Sequence, residues 1–153
     1  MFHAFIVAVA ISSMSPARIA ATLPATQACS NSFGDLAALT VYSERKDFVR
    51  VMEFWAAVAS EQSRCADESG NNRQNNLRLK MLSAEHYSMA ADFAIEAARV
   101  DLARDYAGKA NALFTEILSS RPAEFARLYM TRTMVVANMT VNDDLLKRSS
   151  PTP

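Results

Sequence analysis

The side chains best suited to acid–base chemistry lie near the middle of the chain. His86 follows Glu85, and Asp92 lies a short distance further along. A histidine can act as a general base when a substrate lies within hydrogen-bond reach. Adjacent residues of a helix point in different directions, however, and His86 falls on an apolar stripe between Leu82 and Met89. The pattern favours a partly buried structural histidine, with a small helical enzyme or ligand-binding protein around His86 as the alternative.

Three carboxylates form a second candidate set. Asp92 and Glu96 are spaced to share one face of a helix, and Asp101 follows them. Glycosidase chemistry needs two carboxyl groups that face each other across a substrate. A charged, solvated helix face explains the spacing more simply, so we predict no catalytic residue here.

Methionines at helical spacing are the remaining candidate ligands. Thioethers can bind soft metals, but methionine more often fills gaps in a core. The methionines concerned are Met81, Met89, Met130, Met134 and Met139. The sequence contains no nucleophile elbow, phosphate-binding glycine loop or metalloprotease helix motif. We therefore predict no enzyme activity, no cofactor and no metal site.

The N-terminal segment has the features of a secretory signal. Residues 4–11 are a short apolar run, too short to span a bilayer, although no Lys or Arg precedes it. Thr26 and Ala28 offer the small-x-small pattern of a cleavage site. We predict a signal peptide over residues 1–28 and a periplasmic or secreted mature protein. The alternatives are a buried N-terminal helix and a lipid anchor on Cys29.

The two cysteines of the chain are Cys29 and Cys65. Two cysteines in an oxidising compartment most simply pair with each other, so export predicts a Cys29–Cys65 disulfide. Without export, the same residues are expected to be small buried hydrophobic side chains.

Composition predicts one helical domain. The chain has 153 residues, half of them hydrophobic, with only 3 Gly and 5 Pro, the residues a helix interior tolerates least. Its 16 Lys and Arg balance 16 Asp and Glu, and no polybasic run occurs, which argues against nucleic-acid binding. With the signal removed, no transmembrane segment is expected.

The periodicity of apolar residues places the first helices. A helix is predicted over residues 35–66, with a kink near residues 40–42. The polar residues 67–76 predict a loop that reverses the chain. Residues 77–119 carry helical stripes that form either one helix or two. We favour two, with a turn near residues 101–105.

The C-terminal part is predicted to hold one more helix. Pro122 ends the preceding segment, because the residue before a proline is pushed out of the α region. A helix is predicted over residues 123–138, and residues 143–153 are expected to be a disordered tail. Residues 29–142 thus form a single all-α domain, a small antiparallel bundle or helical-hairpin array of four to five helices.

Residues 98–122 resemble a single tetratricopeptide repeat. Ala110, Phe114 and Pro122 match the spacing of the family's second helix, and Ala98 stands where the first helix has a small residue. The resemblance implies an antiparallel helical hairpin of the kind that holds peptides or partner proteins. It assigns no binding residue.

The function that fits these features is a non-enzymatic protein-interaction module of the cell envelope. Such a module would serve a secretion, assembly or transport system, and its partner would be another envelope or secreted protein. A periplasmic immunity protein that neutralises a toxin is a further alternative. Aromatic residues are favoured at interaction hot spots, so the candidate contact residues are Trp55, Tyr87, Tyr106 and Tyr129.

Overall fold

The protein is all-α, as predicted. The structure, a computed structural model, describes Cys29 and residues 37–148, and these residues contain six helices and no strand. Residues 1–28, predicted to be the signal peptide, lie outside the described residues. The helices are α1 (Ala37–Glu44), α2 (Phe48–Glu68), α3 (Arg73–Glu96), α4 (Val100–Leu118), α5 (Pro122–Phe125) and α6 (Arg132–Arg148).

Side-chain caps fix the starts of α2 and α3. The Asp47 carboxylate accepts a hydrogen bond from the Arg50 amide at 3.3 Å, and the Asn72 side chain accepts one from the Asn75 amide at 3.1 Å. The first predicted helix is therefore divided by a turn at residues 45–47 and not kinked at residues 40–42. The predicted loop over residues 67–76 shortens to residues 69–72, where Gly70 adopts φ +57°.

The stretch over residues 77–119 forms two helices, but the turn lies at residues 97–99 and not at residues 101–105. The amides of Ala98 and Arg99 donate to the carbonyls of Ile95 and Ala94, at 2.9 and 2.7 Å. This is a Schellman motif, and it places Ala98 in the left-handed region at φ +56°. Ala98, which the family resemblance placed within a helix, thus occupies the turn.

The C-terminal helix differs most from its prediction. The segment after Pro122 forms only the short α5, and the long helix starts at Arg132 and extends to Arg148. Part of the predicted tail is therefore helical, because the Asn142 side chain anchors the segment. Its Nδ2 donates to Ser88 Oγ at 3.0 Å and to Asn111 Oδ1 at 2.9 Å. Residues 149–153 lie outside the described residues.

Helix α3 lies at the centre of the bundle. It packs most extensively on α2 and α4, and α6 packs on α4 and touches α3. The contact faces of α3 and α4 carry alanines without exposed surface, which lets the backbones approach closely. These alanines are Ala84, Ala90, Ala91 and Ala94 on α3, and Ala103, Ala107 and Ala110 on α4. The main core, around Leu77 and Phe114, also includes Phe125 and Val135, which joins α5 and α6 to the bundle.

The predicted disulfide is present. Cys29 and Cys65 are bonded, with their Cα atoms 5.8 Å apart, and the bridge packs on Leu79 and Leu82. Arg78 donates to the Cys29 carbonyl at 3.0 Å. The bridge therefore fastens Cys29 to the end of the bundle where α2 leads into α3. Within the described part of the chain, no helix combines the length and apolar character needed to cross a membrane.

The left-handed alanine of the α3–α4 turn predicts a stabilising substitution. An L-residue in this region is disfavoured by about 1 kcal/mol, whereas glycine is not. We expect Ala98→Gly to raise the free energy of unfolding by roughly 0.5–1 kcal/mol in urea titrations. Ala97→Gly, at an ordinary φ of −84°, is the matched control and should be neutral or destabilising. A destabilised Ala98→Gly variant would contradict the assignment of the turn.

Candidate functional site

The four aromatic residues predicted to contact a partner lie in three separate places. Tyr87 and Tyr106 pack together between α3 and α4, with ring centroids 6.1 Å apart. Trp55 instead stacks on His86, and Tyr129 donates a hydrogen bond to Glu85. No single aromatic surface therefore forms from this set.

His86 is held in a buried polar layer between α2 and α3. Its Nδ1 lies 2.7 Å from Gln62 Oε1, and its ring stacks on Trp55 at 4.8 Å between centroids. In the same layer, Ser83 Oγ donates to the Ala59 carbonyl at 2.7 Å. Burial lowers the pKa of His86 from 6.5 to about 4, because the apolar surroundings disfavour the charged ring. At neutral pH the ring is therefore neutral, and with Gln62 Oε1 as acceptor its Nδ1 carries the proton.

Glu85 is directed away from His86, as expected for neighbours on a helix. Tyr129, in the segment between α5 and α6, donates its hydroxyl hydrogen to Glu85 Oε2. Burial raises the pKa of Glu85, and burial together with the Glu85 carboxylate raises the pKa of Tyr129. This contact ties the α5–α6 connection to α3 and leaves Glu85 outside the His86 layer.

The tyrosine pair lines an open groove of about 360 Å³. Lys109 Nζ lies 5.7 Å from the ring centroids of both Tyr87 and Tyr106, within cation–π range. The same Nζ donates to Asp105 at 2.6 Å, so the ammonium group is already paired. Glu53 of α2 forms part of the opposite wall. This groove therefore brings together two of the predicted contact residues. Both of their cation–π contacts are made by Lys109 of the same chain.

A larger and more apolar groove lies at the C-terminal end of α3, where α3, α4 and α6 meet. We call it the α3–α4–α6 groove, and its volume is about 460 Å³. Three of its apolar residues are substantially exposed: Ile95 by 42%, Val100 by 43% and Val141 by 58%. Its described lining consists of Asp92, Phe93, Ile95, Glu96, Val100, Val141, Leu145 and Arg148.

Two of the three candidate carboxylates, Asp92 and Glu96, line this groove together. Partial desolvation beside the groove raises the pKa of the Asp92 carboxyl, although the residue as a whole is exposed. Asp101 lies instead in the first turn of α4, with Arg99 at 3.8 Å. Both groove carboxylates lie on α3, and no described acidic side chain lines the groove from α4 or α6. The groove therefore lacks the pair of facing carboxyls that glycoside hydrolysis requires.

The candidate methionines are dispersed. Met81 and Met130 are buried in the main core, and Met139 packs against it. Met89 lines a separate groove beside α1, and Met134 is exposed on α6. Among Cys29 and residues 37–148, no three His, Cys, Asp or Glu side chains are grouped in a way that could hold a metal ion.

Sequence reasoning missed the α3–α4–α6 groove. Its exposed apolar residues come from the end of α3, the start of α4 and the C-terminal half of α6, and nothing in the sequence places them on a common surface. The available signal was the presence of apolar residues outside the helical stripes.

Comparison with known proteins found no family model, no curated protein and no solved structure that matches the chain.

The buried neutral His86 predicts a loss of stability in acid. Between pH 6.5 and about 4 the unfolded chain takes up a proton that the folded protein does not, so the free energy of unfolding falls as the pH falls. The slope approaches about 1.4 kcal/mol per pH unit, or roughly 3 kcal/mol in total. His86→Gln removes this contribution. In urea titrations from pH 7.5 to 4.5, which cover most of this range, the stability difference between wild type and variant should shift by roughly 2.5 kcal/mol.

Comparison of wild type with His86→Gln also controls for the effect of Glu85 on the pH dependence of stability. The raised pKa of Glu85 has the opposite effect, since it favours the folded state as the pH falls toward the pKa of that carboxyl. This contribution is common to wild type and variant and cancels in their difference. Parallel pH profiles for the two proteins would contradict the buried, neutral state of His86.

Proposed function

We propose that this protein is an exported, non-enzymatic helical module that binds another envelope or secreted protein. The observation that carries the proposal is the α3–α4–α6 groove, an apolar surface left open between three packed helices. An apolar groove rimmed by charged residues is a common form of binding site. Its occupation by a partner would remove Ile95, Val100 and Val141 from water.

Export is supported by the signal-like residues 1–28 and by the disulfide. A structural disulfide persists in oxidising compartments and is rare in the reducing cytosol. Cys29 would be the first residue of the mature chain after cleavage behind Ala28. The bridge would then hold the new N-terminus on the bundle through Cys65.

Protein binding is supported by the form of the groove. A trough between neighbouring helices is a common receptor for an amphipathic helix, whose apolar side chains enter it at spacings of three and four residues. The alternative function, an enzyme or ligand-binding site around His86, has less support. The imidazole of His86 already forms a hydrogen bond with Gln62 and stacks on Trp55.

Export predicts a defined mass. We expect the protein isolated from its natural host, without reductant, to have the mass of residues 29–153 less two hydrogens. Reduction before the measurement should add two hydrogens and serves as the control for the disulfide. A lipid-anchored Cys29 would instead appear as an added acyl mass. A full-length, reduced chain would contradict export.

Partner binding predicts a difference between two exposed valines of α6. Val141 lines the groove, whereas Val136 is 50% exposed and does not line it. A photo-crosslinking residue at position 141 should give one discrete adduct in the host envelope, identifiable by mass spectrometry. With that partner purified, Val141→Glu should weaken binding about tenfold or more, because a carboxylate would be buried against apolar surface.

Val136→Glu is the matched control, with the same added charge on the same helix. It should leave the affinity unchanged. Equal affinities for the two variants, or no adduct from position 141, would rule out the groove as the binding site.

A further inference from the structure

The α3–α4–α6 groove carries an unneutralised negative charge along its α3 wall. Asp92 and Glu96 are one helical turn apart on α3, so their side chains lie side by side. Neither carboxylate forms an ion pair with another residue of the described chain. Elsewhere, exposed carboxylates such as Asp105 and Glu116 are paired with Lys109 and Lys80. Asp67 is likewise exposed and has no ion pair among the described residues, so the distinguishing feature of the groove wall is that two neighbouring carboxylates lie beside an apolar groove.

The position of Glu96 adds to this negative potential. Glu96 is the last residue of α3, where the aligned peptide dipoles make the helix end partly negative even though the Schellman motif pairs the carbonyls of Ala94 and Ile95. The last turn of α3 contains no basic residue that would offset this effect. A cation brought to this wall would therefore relieve an unfavourable interaction within the free protein.

The length of the groove fits about two turns of a helix. On α6 its lining extends from Val141 to Arg148, about 10 Å along the axis at 1.5 Å per residue. This length corresponds to three apolar anchors at positions i, i+3 or i+4, and i+7 of a partner helix. Arg148 completes the α6 wall and, like the two carboxylates, has no ion-pair partner among the described residues.

We propose that the occupant of the groove is a basic amphipathic helix, a deduction that rests on the proposed function. Its apolar face packs on Ile95, Val100 and Val141, and its Lys or Arg residues lie over Asp92 and Glu96. The acidic wall repels the headgroups of anionic lipids, which disfavours a membrane surface as the occupant.

Two synthetic peptides test this deduction directly. Both are 18-residue amphipathic helices with the same leucine stripe, and they differ only in Lys or Glu at the flanking positions. Each carries fluorescein and is titrated with the disulfide-bonded protein, with anisotropy as the signal. We expect the Lys peptide to bind about tenfold more tightly at low salt, and the difference to shrink at about 0.5 M salt, where charges are screened.

A double variant and its control locate the charge effect. Asp92→Asn with Glu96→Gln should abolish the preference for the Lys peptide while keeping the apolar part of the affinity. Asp67→Asn with Glu68→Gln makes the same change of charge at the end of α2, roughly 30 Å away along the length of α3. This control should keep the preference.

The outcomes separate the deduction from the proposed function. Equal affinity for both peptides, or a preference that survives in the Asp92 and Glu96 double variant, overturns the basic helix. Absence of binding by either peptide overturns it as well, while crosslinking at position 141 decides the proposed function independently. Concentration-dependent dimerisation that Val141→Glu abolishes would identify a second copy of the chain as the occupant and also overturn it.

Discussion

The burial of α3 on several sides is the constraint on which the rest of the bundle depends. Because α2 and α4 both pack along it, most of its surface must be either small or apolar. Alanines such as Ala90 and Ala94 meet this requirement by allowing close helix contacts. The buried polar residues of α3 are His86 and Ser83, and α2 supplies a hydrogen-bond partner for each of them.

The groove forms at the end of α3, where the neighbouring helices no longer bury all of its surface. The chain turns back at residues 97–99, so the last turn of α3 packs on α4 through Ala94 and Ala103 and leaves Ile95 and Glu96 exposed on its outer face. Helix α6 extends toward this end because Asn142 anchors it to Ser88 and Asn111. The three helices thus enclose a trough without filling it. Its apolar residues stay exposed because no described element lies over them.

The sequence was informative wherever local chemistry decides the backbone. The polar residues around Gly70, the helix-ending Pro122 and the pairing of the two cysteines all led to correct expectations. The turn at Ala98 was misplaced because its left-handed residue is an alanine, which carries no turn signal. Local Schellman hydrogen bonds form that turn, and the packing of α4 on α3, which is a tertiary interaction, fixes its position.

The C-terminal helix and the groove were missed for a related reason. Asn142 has a polar side chain and appeared to end the apolar pattern, yet it is buried and hydrogen-bonded. Only the folded structure shows that Ser88 and Asn111, distant in sequence, reach it. The groove likewise depends on three segments, so no single helical stripe could indicate it. Asp92 and Glu96 were noticed from their spacing, but their relation to Val141 is a tertiary property.

The disulfide and the groove lie at opposite ends of α3, and this separation has a physical consequence. The bridge constrains the unfolded chain and holds Cys29 where α2 leads into α3. Such a constraint stabilises the bundle as a whole without adding contacts at the groove. At the groove end no cross-link joins the described helices, and Met52, Ala94 and Ala103 hold them together by packing alone. In the proposed complex, the partner helix would therefore bind where packing alone, and no covalent bond, holds α3, α4 and α6 together.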